Sequence, residues 1–531
     1  MVSNMNRALM EKQLKDWKTK YSNLSVSKEI SEHELKEEIA NFKKEVGQKD
    51  KKIDDLYETI RKIDAKVDSL TTQVAELSKE NANLKEVIVS QNDQITKLKS
   101  RINKDSNNSS KPTSSNIFKK PVQNNRVKTG KKVGGQVGHK GAGLDQFTTP
   151  SEVIDKKVEY CDECEGEVLN SQDYTSKQLV DIEINLKVLE ERVYSGRCVR
   201  CGKRHLGKFS EEYKNPVQYG NNIKSFVALL NSHGFVSINK TADILNSITG
   251  NQINISDATV VNIQKSLSER IENTINSIKE NLIKSCVLNA DETGCRVNAK
   301  TNWIQVFSNK HFTLCNHDKK RGFASIEDMG ILDYFIGILV HDHFSAYYKD
   351  TLATHAECNA HILRYLKGIV EIFKRDWAKE MIEFLVDTLN KKKQNIALGK
   401  NCLDSVELAE VSRKYDEILE NGQFQYGDAI KGKKNISYFN DERLLLKRLR
   451  EYKNEHLRFI TDFETPFDNN QAERDIRPFK TKTKVSGCFR SEKGIEAFTK
   501  IYSLISTLRK QDMNIFKNIQ DIFNGKELLF T

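Results

Sequence analysis

The chain has 531 residues, 30% of them charged, and a formal net charge of +11. That length exceeds a single hydrophobic core, so roughly three or four domains are expected, and the positive balance suits a polyanionic partner. No apolar run approaches the ~18 residues of a membrane span, the polar N-terminus lacks a secretory signal, and ten Cys are too sparse for a disulfide scaffold, so a reducing cytoplasm is the expected compartment.

Residues 35–102 carry a sustained heptad. The a positions read Ile39, Val46, Ile53, Ile60, Val67, Val74, Asn81, Ile88, Ile95 and Ile102, and the d positions between Leu35 and Leu98 are mostly Leu. β-branched residues at a with Leu at d favour a parallel dimer, and an Asn at a, here Asn81, fixes register. A lone helix about 100 Å long, at ~1.5 Å per residue, would leave this stripe exposed. A homodimer or higher assembly through the coiled coil is therefore expected.

Asp105-Ser-Asn-Asn-Ser-Ser110 ends the heptads. Residues 111–140 then hold eight Lys or Arg and no acid. The segment buries too little to fold alone. It reads either as a solvated linker or as a sequence-blind phosphate contact.

Cys161-Asp-Glu-Cys164 and Cys198-Val-Arg-Cys201 are two CxxC pairs with 33 residues between them. Two such turns in a reducing compartment predict one four-cysteine structural zinc site, although the gap exceeds the usual ~15–20 residues. Gln178 to Tyr194 alternates apolar and polar residues, as a β ribbon does.

Residues 217–275 read as helices. Ile238–Ile248 is amphipathic, Gly250 breaks it, and Ser256 caps Asp257–Leu267. The pattern fits a helix-turn-helix with a long turn, or two helices packed in a bundle. As a DNA reader it would present Thr259, Asn262 and Gln264.

Strands are predicted near 286–298, 301–308, 311–317 and 334–341, with a helix between the last two. The first two read as a hairpin with a Gly between them, which puts Asp291 on a strand. Phe335–Val340 is a continuous apolar run, as in a strand buried on both faces. It ends at His341-Asp342-His343, and strand ends are where open α/β sheets place their sites. Lys319, Lys320 and Arg321 follow the third strand and can meet phosphate. Cys358 and His361 open the next helix. A Cys-x-x-His pair is half a zinc site, and with no second pair evident metal binding there is not expected. His361 and Arg364 share a helix face and can orient DNA. The 130 residues between Asp342 and Glu473 exceed a loop. Trp377, Met381, Phe384, Leu385 and Leu389, then Leu408, Val411, Tyr415, Ile418 and Leu419, have helical spacing and predict a helical insertion. Asp468 or Asn469 caps a last helix carrying Glu473 in its first turns, with Arg477 on the same face. Arg474, Arg477, Lys480, Lys482, Lys484 and Arg490 make this stretch basic.

Asp291-Glu-Thr, the strand end at Asp342 with Tyr347 or Tyr348 after it, Cys358-Asn-Ala-His361-Ile-Leu-Arg364, and Asn469-Asn-Gln-Ala-Glu-Arg474 with Arg477-Pro478 together resemble the DDE transposases of the insertion sequence sixty-six family. Asn108-Ser-Ser-Lys-Pro112 and Gly134-Gly-Gln-Val-Gly-His139 resemble the linker of that family, with Val137 where a Pro is usual. The resemblance implies a ribonuclease-H-like sheet and Asp291, Asp342 and Glu473 as a triad for Mg²⁺ (or Mn²⁺). It implies double-stranded DNA, as element ends and target, for substrate, and helper proteins of the same element as possible partners. It also implies that a freed 3′-hydroxyl is joined to target DNA; spacing alone supports only a metal nuclease.

For such chemistry two divalent ions ~3.5–4 Å apart activate the nucleophile and neutralise charge. Asp291 would bridge them, and Asp342 and Glu473 would complete one site each. Glu292 points to the opposite strand face and is the weaker candidate. DNA contacts are expected at Lys319, Lys320, Arg321, His361, Arg364, Arg474, Arg477, Lys480 and Lys482. The rival readings are a non-catalytic DNA-binding regulator, a coiled-coil scaffold, and a nuclease that cuts without joining.

The expected fold is multidomain α+β. Its parts are a polar N-terminal segment at 1–34, a parallel coiled coil at 35–104, a basic flexible linker at 105–150 and a four-cysteine zinc ribbon at 151–212. A helix-turn-helix-like domain follows at 213–279, then a catalytic domain at 280–370 and 456–510 split by a helical insertion at 371–455, and a C-terminal helix at 511–531.

Overall fold

The computed structural model describes residues 144–530 apart from 350–351 and 434–435; before them it describes 10–11, 35–47 and helical positions scattered between 74 and 98. The chain divides into two units, Met1–Lys97 and Leu98–Thr531. In the first, residues 35–47 form a helix whose Leu35, Ile39, Phe42 and Val46 are exposed. These are the a and d positions of the heptad. Most of the predicted coiled coil, and the basic stretch through 143, lie outside the described residues.

In the second unit each CxxC pair forms its own turn. The first is flanked by a bridge between Tyr160 and Glu167, the second by the short hairpin of β1 (Ser195–Arg197) and β2 (Arg204–Leu206). The predicted ribbon across Gln178–Tyr194 does not form. Leu179, Ile182 and Val188 stay exposed there. Alternation makes a strand only where a neighbouring strand takes its hydrogen bonds and a core takes one face, and the described residues supply neither.

Four helices follow: α1 (Asn221–Ala228), α2 (Ile238–Ile248), α3 (Asp257–Arg270) and α4 (Glu272–Ile283). A π-helical turn, Leu229–His233, continues α1. Gly250 is left-handed at φ +60°, and the Ser256 hydroxyl caps α3 by accepting from the Thr259 amide. The predicted bounds of α2, the break at Gly250 and the start of α3 therefore hold, while α3 runs three residues past the predicted Leu267. Gln264, read from sequence as a base reader, instead points inward: it accepts from Ser232 and is 9% exposed. Nor is this helical region a core of its own. Val227, Val260, Leu267, Ile278 and Leu282 share one core with Leu288 and Leu339 of the sheet and with Ile505 and Ile519 near the C-terminus.

The sheet has five strands: β3 (Val287–Val297), β4 (Lys300–Ser308), β5 (Thr313–Asp318), β6 (Ile338–His341) and β7 (Thr354–Glu357). Its spatial order is β5-β4-β3-β6-β7. β3, β4 and β5 form an antiparallel meander, while β6 and β7 run parallel to β3. The β3–β4 turn is Asn298-Ala299, both with positive φ, not a glycine; Gly294 lies within β3. Two left-handed residues give the turn a twist that matches the paired strands. β6 is shorter than the apolar run that predicted it. A Cβ on Gly337 would sit 2.5 Å from the Cys286 carbonyl, so the chain enters the sheet through a residue without one. Between β5 and β6 lies the short α5 (Phe323–Glu327).

After β7 come α6 (Asn359–Phe373), α7 (Asp376–Ala397), α8 (Ser405–Ile430), α9 (Asn440–Glu451) and α10 (Lys453–Thr461). They enclose a separate core around Trp377, Met381, Leu385, Tyr415, Ile418 and Leu446. This is the predicted helical insertion, and its helical spacings are core contacts. Asp404 and Glu407 close a capping box at the start of α8.

The chain then returns as α11 (Asn470–Ser486), α12 (Glu492–Lys510) and α13 (Ile515–Phe523). A third core joins Cys295, Ile304 and Val306 of the sheet to Ile476 and Phe479 of α11 and Phe498 of α12. The sheet is thus covered on both faces. Helix α12 is buried on almost every side from Ile495 to Leu508 and serves both cores. At about 1.5–3 kcal/mol per buried large apolar side chain, its placement is set by packing, not by helix propensity.

Candidate active site

Alternation along β3 sets the two faces. Leu288 and Ala290 enter the core shared with α1–α4, whereas Cys295 and Val297 enter the core under α11. Asp291 has the parity of Cys295 and faces the α11 side; Glu292 faces the other. The parallel ladder pairs Asn289 with Val340. Carried two residues on, that register brings Asp342 beside Asp291 on the same face.

Helix α11 is anchored to this point. Asn469 is its N-cap residue, yet no side-chain cap bond forms. Its amide group instead donates to the Ala290 carbonyl (2.6 Å), its side-chain oxygen accepts from Asn289 (2.9 Å), and its backbone N–H meets the Cys358 sulfur (3.1 Å). These bonds set the first turn of α11, with Glu473, against the strand residue preceding Asp291.

Six acids are buried or half-buried here, and their partners sort them; one of them, Asp468 just before α11, accepts only the Asn470 amide and its charge acts on Glu473. Glu357 accepts from Arg448 Nε (2.8 Å), His456 (2.8 Å) and Tyr348 (2.6 Å), and also pairs with His343. Glu292 accepts from Arg321 Nε (3.1 Å) and Tyr347 (2.8 Å). These two carboxylates are saturated by cations and hydroxyls. By contrast, Asp291 accepts only the Glu292 amide and Asp342 only the Phe344 amide, with no side-chain donor to either among the described residues. Glu473 lies 3.8 Å from both Arg477 and His361, and its Oε1 is buried without a hydrogen-bond partner.

The electrostatics follow. Burial holds the Asp291 carboxyl well above the usual range, and the charges of Glu292, Asp342 and Glu473 push it further. Burial also raises Asp342, against the Phe344 amide and the Arg321 and Arg448 charges. It raises Glu473 against the opposing charges of Arg364 and Arg477. Carboxylates raised by burial and lacking cationic hydrogen bonds have the donor chemistry of a hard divalent cation site, so the residues fit the Mg²⁺ that sequence resemblance implies.

The one group of three or more candidate ligand atoms within 4.8 Å of one another among the described residues is not Asp291, Asp342 and Glu473 but a different one. Cys358, His361 and Glu473 place sulfur, nitrogen and oxygen within 4.8 Å of one another. Burial pushes the Cys358 thiol up to about 12 and brings His361 down to about 4. Sequence spacing showed only the Cys-x-x-His half; its third member comes from α11, 112 positions after His361.

The basic residues divide as well. Arg364 and Arg477 act on Glu473, the Arg474 guanidinium bonds Gln471, and Lys480 bonds the Gly294 carbonyl. Lys319 pairs with Glu492 at the surface, and the Lys320 amide bonds Asp318. Arg321 stacks over Phe344 and Trp303 while holding Glu292. Lys482 departs furthest from expectation. It is 5% exposed and donates to the carbonyls of Asn231 and Val236, and burial lowers its pKa to about 8. Its position on α11 turns it toward the π-helical turn and away from solvent. Glu357 is a residue that sequence reading missed, and Asn469, read there as a helix cap and as motif text, instead bonds the strand.

The two cysteine turns are alike in detail. Cys161 N–H bonds the Gly166 carbonyl and Glu165 N–H bonds the Cys161 carbonyl; Cys198 with Lys203, and Gly202 with Cys198, repeat the pattern. Glu165 and Gly202 are both left-handed. Amides of Glu163 and Cys164 lower the Cys161 thiol pKa, and those of Cys201 and Arg200 lower Cys198. The four thiols are not gathered into one cluster among the described residues.

No described helix is long and apolar enough to cross a membrane. No curated protein matches the chain. A family of unknown function (DUF6444) matches residues 26–145. The transposase IS66 family matches residues 216–497, more than half of the chain, and that span contains Asp291, Asp342 and Glu473. The chain belongs to the IS66 family of transposases.

Proposed function

We propose that the chain is a DDE-type DNA transposase that cleaves element ends and joins the freed 3′-hydroxyl to target DNA. The observation that carries the reading is the sorting of the acids: Glu292 and Glu357 are saturated by charged or hydroxyl side chains, whereas Asp291, Asp342 and Glu473, like the half-buried Asp468 next to α11, lack such a hydrogen bond among the described residues. The sheet order, with the first catalytic strand central, an antiparallel meander on one side and two parallel strands on the other, supports a ribonuclease-H-like domain.

Asp291, Asp342 and Glu473 would hold Mg²⁺ (or Mn²⁺), which when bound supplies charge neutralisation and an activated oxygen nucleophile. In cleavage, a water oxygen bonds to phosphorus and the bond to the 3′ oxygen breaks. In joining, that 3′-hydroxyl oxygen bonds to a target phosphorus, the bond from that phosphorus to the target's 3′ oxygen breaks, and this oxygen leaves as a 3′-hydroxyl. The chain's own part is positioning: Asn469 fixes Glu473 against β3, and Arg364, Arg474, Arg477, Lys480, Lys319 and Lys320 hold phosphates. His361, in the first turn of α6, lies 3.8 Å from Glu473. The matched cysteine turns support a zinc-bound structural module, and the exposed stripe from Leu35 to Val46 supports self-association through a coiled coil. Double-stranded DNA is the substrate in this reading.

The test is Mg²⁺-dependent cleavage and joining of an element end by wild type and by Asp291→Asn, Asp342→Asn and Glu473→Gln. Loss of both reactions in each variant, with DNA binding retained, is expected. Cleavage that persists in the variants overturns the triad. A wild type that binds but never cuts favours a DNA-binding regulator, and one that cuts but never joins favours a nuclease.

A further inference from the structure

We infer that Cys358, His361 and Glu473 form a site for a soft divalent cation of the zinc class, and that filling it withdraws Glu473 from the acid triad. The second clause rests on the triad reading above; the first does not.

A thiol, an imidazole and a carboxylate with ligand atoms within 4.8 Å of one another make a mixed S, N, O set. Tetrahedral zinc, with bonds of about 2.0–2.3 Å, takes such ligands and holds them roughly 3.5 Å apart. His361 Nδ1 and Glu473 Oε1 stand 3.8 Å apart, and both atoms are buried without a hydrogen-bond partner. Two unpartnered polar atoms facing each other in a buried site have each lost solvent without gaining a partner. A cation between them satisfies both at once. The backbone gives the sulfur a supporting donor, the Asn469 N–H at 3.1 Å, as outer-shell amides do for metal-bound thiolates.

The ligands sit on preset elements. Cys358 is the N-cap of α6 and His361 lies in its first turn, while Glu473 lies in the first turn of α11. Three protein ligands leave a fourth position for water. Mg²⁺ prefers oxygen ligands and is a poor match for the sulfur. The two kinds of cation therefore compete for one carboxylate. Zinc holds Glu473 toward α6, and magnesium needs it beside Asp342.

The experiment uses the full chain with its four CxxC cysteines intact. Bound zinc per chain is measured by equilibrium dialysis against buffered free Zn²⁺, for wild type, Cys358→Ser and His361→Gln, with circular dichroism confirming that each variant is folded. Wild type is expected to take up one more zinc per chain than either variant. Equal stoichiometry in all three overturns the site. In the second arm Zn²⁺ is titrated into Mg²⁺-dependent cleavage. Wild type is expected to be inhibited at zinc concentrations at least tenfold lower than Cys358→Ser. Equal inhibition of the two overturns the withdrawal of Glu473. A wild type that cleaves nothing refutes the triad reading, while the dialysis still decides the zinc site.

Discussion

The side-chain amide of Asn469 donates to the carbonyl of Ala290 across 2.6 Å, joining the first residue of a helix cap to the strand position next to Asp291. Both groups are buried, and the Asn469 oxygen also accepts from Asn289. An N-cap side chain that could serve its own helix is used instead to fix that helix to the sheet.

Asn469→Ala removes both bonds and leaves the Ala290 carbonyl and the Asn289 amide unpaired. The expected cost is about 1–3 kcal/mol for each group left unsatisfied, read as a lower urea midpoint. Cleavage should fall by more than the folded fraction does, because Glu473 loses its register. A variant that is less stable but fully active per folded molecule would contradict the positioning role.

Asp291 has a folded pKa raised by burial and by its neighbouring acids. The folded state therefore binds its proton more tightly than the unfolded chain does. Stability from this group is fully present below the unfolded pKa and is lost as pH rises toward the folded pKa. In metal-free buffer at neutral pH, Asp291→Asn should melt higher than wild type, by about 2–4 °C for each kcal/mol relieved. Added Mg²⁺ should raise the melting temperature of wild type more than that of the variant. Thermal melts with and without Mg²⁺ check both signs.

Glu357 ties the insertion to the sheet, since Arg448 lies on α9, His456 on α10 and Glu357 at the end of β7. Burial alone would raise this carboxyl, but the bonds from His343 and His456 and the Arg448 charge outweigh it and hold it low. Its stabilisation is therefore present above the unfolded pKa and is lost only as pH falls below the ordinary carboxylate range. Arg448→Met should cost about 3–5 kcal/mol, as breaking a buried pair does. Urea denaturation at pH 7 measures it, and a cost under ~1 kcal/mol would contradict the pairing.

Lys482 and Arg477 stand five positions apart on α11 and should behave oppositely. Lys482→Met removes the ammonium donor from the Asn231 carbonyl and leaves the Val236 carbonyl with the Asn231 side-chain amide alone, and should destabilise the fold by about 1–3 kcal/mol, leaving the salt dependence of DNA binding unchanged. Arg477→Ala should leave stability within about 0.5 kcal/mol and reduce the slope of log K against log salt by about 1. Denaturation paired with binding titrations over a salt range separates the two.

Much of this was legible along the chain. Apolar periodicity placed α2, the β3–β4 pair, β6 and the insertion helices, because period and side-chain burial are local properties. The motif text located Asp291, Asp342 and Glu473. Other features failed where the outcome depended on a partner distant in sequence. Gln178–Tyr194 alternates but found no strand to pair with. Gln264 and Lys482 carry polar heads that composition assigns to solvent or DNA, yet each found a buried acceptor or donor in the turn around residues 231–236.

The sequence by itself determined the family, the α+β character and the acids of the candidate site. Only the tertiary structure decided which acids are left without a side-chain donor among the described residues. Glu292 and Glu357 are as acidic in sequence as Asp291, but Arg321, Tyr347, Arg448 and His456 saturate them from elements up to 99 residues away. It likewise completed the Cys358–His361 half-site with Glu473. Hydrogen-bond saturation and ligand clustering are relations between distant segments, and they exist only once packing has brought those segments together.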